Sequence, residues 1–164
     1  MSFHGDGDGQ DVGVTGARSV ESLLGRPVRV RGIRLGRAVD ALLDLASMRI
    51  AGLEILCGDG VLRFLPFAAA RVRDRELAVG SALLLLEGDD LGFYRRRGRM
   101  LGALRGRRVT LSGRVVGALR DLEVDDDGRV TALALALPHA RGPVRVAVPD
   151  GSTLALADAA APAA

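Results

Sequence analysis

An all-β chain made of two tandem copies of one small β unit is the fold class this sequence predicts, on three observations. A stretch recurs: Gly25, Arg26, Val28, Gly32, Gly36 and Asp40 return 81 residues later as Gly106, Arg107, Val109, Gly113, Gly117 and Asp121. After a one-residue slip the match resumes, with Arg49-Ile50-Ala51-Gly52-Leu53 lying over Arg129-Val130-Thr131-Ala132-Leu133. Repetition at a fixed offset is the mark of a duplicated structural unit. Apolar residues also alternate with polar ones in short runs, as Val28 and Val30 do with Arg29 and Arg31, which is the period of a half-buried strand. Finally, Gly supplies 22 of 164 residues while aromatics are 3% and Trp is absent, a composition for short strands and tight turns.

Taken in order, residues 1–19 are rich in Gly, Asp and Ser and are expected to be a disordered tail. The first unit covers 20–87. Its strands are expected at 27–31, 37–45, 49–57 and 61–65, with a turn bracketed by Gly32 and Gly36 and a hairpin at Gly58-Asp59-Gly60. Pro66 lacks the ladder N–H and should end its strand or lie on an edge. Short strands at 70–73 and 76–79 pair through Asp74-Arg75, and 82–86 closes the unit as a further strand. Five or six such strands around one apolar interior make a small barrel, which removes exposed edges. A linker, 88–103, carries a short helix: Asp89 and Asp90 stand at its start and Arg95, Arg96 and Arg97 at its end, the order the helix dipole favours. The second unit, 104–157, repeats strands at 108–111, 116–124, 129–137 and 144–148, with a longer loop at 138–143. Only 154–156 is left to complete it, so this unit is either incomplete or borrows a strand, and the two units should pack closely. Residues 158–164 are expected to be a second disordered tail.

The totals narrow the function classes. Units of about 70 residues are marginal alone, which again favours mutual packing. The net charge is +3, and every basic side chain is Arg, so the basicity reads first as a coding bias and only then as a nucleic-acid signal. The single cysteine, Cys57, fits a reducing cytoplasm and, set in an apolar run, a core position. No basic and apolar leader is visible at the start, and the apolar runs 82–86 and 132–137 are too short to span a bilayer.

Four motifs carry a resemblance: Leu24-Gly25-Arg26-Pro27-Val28, the run from Leu35-Gly36-Arg37 through Asp40 to Asp44, Arg49-Ile50-Ala51-Gly52-Leu53-Glu54-Ile55, and Arg63-Phe64-Leu65-Pro66-Phe67. In this order and spacing the chain resembles the PRC-barrel family, known from the reaction centre H subunit and from the C-terminal half of RimM-type ribosome maturation factors. The pattern covers 22–87 and, more weakly, 104–157. The resemblance implies small all-β barrels that serve as binding and adaptor modules without a catalytic centre.

Residue chemistry points the same way. The two histidines, His4 and His139, stand in a tail and a loop with no nucleophile or base arranged around them. Three Cys and His residues spread along the chain do not form a zinc set, and no phosphate-cradling Gly motif opens a helix. The Asp6 to Asp11 spacing resembles a calcium loop but lacks its closing Glu. Asp40, Asp44, Asp121 and Asp125 repeat between the copies and are read as partners of first-strand arginines such as Arg29 and Arg108. The chain is therefore expected to be no enzyme, to need no cofactor or metal, and to dock on a protein partner, with self-association also open to it. The contact residues would be Phe93, Tyr94, Arg95, Arg96, Arg97 and Arg99 in the linker and His139 and Arg141 in the loop. The alternative is an RNA- or ribosome-associated assembly factor that uses the arginines from Arg95 to Arg108, a run without an acidic residue.

Overall fold

The structure, a computed structural model, describes residues 16–157, and the alternating segments of the sequence are its strands. In chain order these are β1 (Arg18–Ser19), β2 (Pro27–Val30), β3 (Ile33–Asp44), β4 (Arg49–Cys57), β5 (Leu62–Pro66), β6 (Arg71–Val72) and β7 (Leu77–Ala78). Helix α1 (Asp89–Arg97), strand β8 (Gly98–Met100) and the helical turn α2 (Leu101–Leu104) lead into β9 (Arg108–Leu111), β10 (Arg114–Val124), β11 (Val130–Ala136), β12 (Val144–Ala147) and β13 (Leu154–Leu156). The tail residues 1–15 and 158–164, with the calcium-like spacing and His4, lie outside the described residues.

The strands form two sheets. One is seven-stranded, ordered β5-β4-β3-β2-β7-β6 with β8 on β3; the other is six-stranded, ordered β12-β11-β10-β9-β13 with β1 on β10. Both are open paths among the described residues, so ring closure is not seen. Long β3 and β10 organise the two sheets in the same way. Each is entered through a two-residue turn whose residues have positive φ, Arg31-Gly32 and Ser112-Gly113, the turn chirality that matches strand twist. The turn expected to extend to Gly36 is thus tighter, and β3 begins at Ile33. Gly36 sits buried inside that strand, against the Leu56 backbone and with Ile55 Cγ2 3.0 Å from where a Cβ would stand. Bulges then bend both strands at equivalent places, Ala38/Asp40 and Leu119/Asp121.

The bend lets each long strand use one edge twice. Its first half pairs with the strand before it, β2 or β9. Its second half pairs with a short strand from the far side of the chain: Leu42 with Met100 and Leu43 with Arg99 in one sheet, Glu123 with Ser19 and Val124 with Arg18 in the other. These pairings are the same ones displaced by 81 residues. The segment that leads into each half is therefore a strand of the other half's sheet. Residues 18–19 are accordingly no part of a tail, and the borrowed strand that the shortened second unit called for is β1.

The seam obeys the same symmetry. Arg49 and Arg129, equivalent residues, form an antiparallel bridge with each other. Around it the Ile50 N–H donates to Gly128 O at 2.8 Å and the Val130 N–H to Met48 O at 2.9 Å. Equivalent residues pair with one another only across a two-fold axis, here a local one. One apolar core runs through the whole, taking Leu23, Leu43, Ile50, Leu53 and Leu65 from the first half and Leu101, Leu104, Leu122, Val130 and Leu133 from the second.

One further element differs from expectation. Residues 82–86 do not form a strand: Ala82–Leu84 is a 3-10 turn whose Ser81 hydroxyl caps the Leu83 N–H, and only Leu86 bridges to Phe64. Strand β13 fills the edge place on β9 that β7 fills on β2, yet runs antiparallel where β7 runs parallel. In the first half β6 intervenes between β5 and β7, whereas the chain passes from β12 to β13 with no counterpart of β6.

Candidate functional site

Helix α1 begins with Asp89 and Asp90 and ends with Arg95, Arg96 and Arg97, so its charges oppose the dipole at both ends as the sequence indicates. It stops because Gly98 turns extended into β8, where a Cβ would stand 2.6 Å from Leu43 O. That close approach fixes the helix against the sheet, and two side chains complete the anchoring. The Tyr94 ring lies on Phe64 with centroids 4.6 Å apart, and Arg95 Nη2 donates to Glu54 Oε1 at 2.8 Å. Glu54 is only 13% exposed, so this ion pair is less screened than a surface one.

What α1 leaves outward is distinct from what anchors it. Phe93 is 48% exposed, set edge-on to Tyr94 at 5.5 Å, and the Arg97 guanidinium lies over its outer face at 4.6 Å. Arg96, Arg97 and Arg99 are exposed, and among the described residues none has a carboxylate partner. Glu87, just before the helix, pairs with Arg63, and Arg95 takes Glu54.

The residues predicted for contact thus separate into three groups. Phe93, Arg96, Arg97 and Arg99 form an aromatic and cationic surface. Tyr94 and Arg95 hold the helix in place. His139 and Arg141 are exposed in the 138–143 loop, and no hydrogen bond or ion pair joins them to α1. Arg141 instead borders a pocket with Glu21, Arg105 and Arg120, of which only Arg105 belongs to the charge run read from the sequence.

The repeated aspartates do not pair with Arg29 and Arg108, contrary to expectation. Arg29 faces Glu76 at 3.4 Å. Asp40 Oδ1 accepts the Gly102 N–H at 3.0 Å, and Asp121 Oδ1 accepts the Glu21 N–H at 3.0 Å, two bonds again 81 residues apart. Each carboxylate therefore caps the helical turn of the segment that has crossed from the other half. Ser19 adds its hydroxyl to Asp121 Oδ2. Asp44 and Asp125 close turns, accepting from Ala46 N–H and from Asp127 and Arg129 N–H. Comparing the copies upstream of Gly25 would have revealed the crossing segments, since Arg18, Leu23 and Gly25 lie over Arg99, Leu104 and Gly106.

Among the described residues no group of three or more His, Cys, Asp or Glu could hold a metal ion, and Cys57 is buried at 8% exposure. No described helix is long and apolar enough to cross a membrane. Compared with models of known protein families and with curated proteins, the chain matches none.

Proposed function

We propose that the chain is a tandem PRC-barrel binding module, each sheet an opened barrel of that type, that docks onto a protein partner in the cytoplasm and performs no chemistry itself. The observation that carries this reading is the split character of α1. A helix anchored by Tyr94 and Arg95 holds Phe93, with Arg97 stacked on it, toward solvent. Aromatic and Arg side chains are the residues that most often dominate binding energy at protein interfaces, and holding them rigid lowers the entropy lost on docking. A partner surface with an apolar socket rimmed by carboxylates fits such a face.

Affinity capture from host lysate tests it. The wild-type chain should retain a protein at high salt and after nuclease, and Phe93→Ala should weaken that capture about tenfold, the loss of one interface hot spot. A second reading, an RNA- or ribosome-associated role, is favoured by Arg96, Arg97 and Arg99 having no carboxylate partner among the described residues. It requires capture only at low salt with RNA intact, abolished when all three arginines are replaced by Ala.

A further inference from the structure

We infer that the pocket beside the 138–143 loop binds a phosphomonoester, held by the guanidinium groups of Arg105, Arg120 and Arg141. The pocket has a volume of about 560 Å³, within the range of small-ligand sites. Three arginines face it against one carboxylate, Glu21, and none of these four side chains takes part in a salt bridge among the described residues. The site therefore carries two net positive charges, which a phosphate dianion matches. The planar fork of Arg suits phosphate oxygens two at a time. Arg105 is the sharpest indication: its Nε and Nη2 are buried without a hydrogen-bond partner, a costly state for a charged donor. Arg18, whose Nε shares that condition, still spends its Nη2 on Asp126. Leu137 and Pro143 add an apolar wall against which the organic part of an ester would lie.

The other half of the molecule shows that the fold does not need these charges. Where the second half has Arg105 and Arg120, the first has Leu24 and Val39 in the same structural places, and Gly102 stands where Glu21 does. Arg141 belongs to a loop whose counterpart is the tight Gly58-Asp59-Gly60 hairpin. Equivalent elements are thus built with apolar residues on one side and with converging charges on the other. This assignment is independent of the docking role of α1, whose residues do not line the pocket.

Isothermal titration calorimetry on the whole chain at low ionic strength decides it, with glycerol 1-phosphate, inorganic phosphate and acetate as probes. Glycerol 1-phosphate should bind at one saturable site with Kd below about 1 mM, more tightly than inorganic phosphate, with acetate weakest. Arg105→Gln and Arg141→Ala should each weaken it by about tenfold or more, the loss of a charge-assisted hydrogen bond, while Arg96→Ala on α1 leaves it unchanged. Should Arg105→Gln fail to fold, Arg141→Ala in the exposed loop carries the test alone. No saturable binding, acetate equal to the phosphates, inorganic phosphate equal to the ester, or an unaffected Arg141→Ala would each overturn the assignment.

Discussion

Asp121 is buried to 9% exposure, and its two oxygens accept from the Glu21 N–H and the Ser19 hydroxyl, so its charge is spent on a segment about a hundred residues away in sequence. Removing such an acceptor strands a donor at the seam. Asp121→Ala should lower stability by about 1–3 kcal/mol in urea unfolding, and Asp40→Ala, at the equivalent but more open site, by less. Asp59 illustrates a different use of a carboxylate. Its hydrogen-bonded pairing with Arg63, reinforced by the Val61 N–H, holds its pKa down to about 2. The sign follows from linkage: a carboxyl depressed in the folded state adds stability above its unfolded value of about 4 and loses that share as pH falls through its folded value. An NMR titration should find the Asp59 carboxyl midpoint near 2, and Arg63→Ala should return it toward the ordinary range.

At the scale of elements, α1 divides into an inner and an outer face with separable consequences. Tyr94→Ala removes the ring that packs on Phe64 and should destabilise the molecule, whereas Phe93→Ala should shift unfolding by no more than about 0.5 kcal/mol while weakening partner capture. A variant pair that behaved alike in both assays would contradict this division. The long strands were legible because alternation, turn glycines and the repeat all agree along β2 to β5 and β9 to β11. Strands β1 and β8 were not, since two or three residues such as Arg18–Ser19 or Gly98–Met100 show no period, and what makes them strands is the bent edge of β10 or β3. Residues 82–86 misled for the opposite reason: an apolar run satisfies the strand pattern, but Ser81 caps a 3-10 turn there. The helical linker was readable from charge order. The anchoring through Arg95 was not, because Glu54 is distant in sequence and reaches Arg95 only through the fold.

For the whole molecule, the exchange of β1 and β8 means that neither half completes its own sheet, and the core has no plane along which to divide. Half-sized units are marginal alone, and here each also lends its leading strand to the other. Unfolding should therefore be one cooperative transition, reported identically by probes in both halves. Proteolytic nicking within 87–90, exposed residues between the halves, should leave the two fragments associated on gel filtration, as no covalent link is required for the exchanged strands to hold. The phosphate pocket and the α1 surface then sit on a single rigid body, each able to be occupied without dismantling the other.

The interlocking of the halves is most directly tested by native-state hydrogen exchange at the seam amides of Val20, Ile50 and Val130, which donate to Leu122, Gly128 and Met48. All three should exchange only through global opening, with the same free energy as amides in the middle of β4 and β11. Fast exchange at Val20, or two distinct opening free energies that divide β4 from β11, would show that the halves fold separately and that the strand exchange does not hold the molecule together.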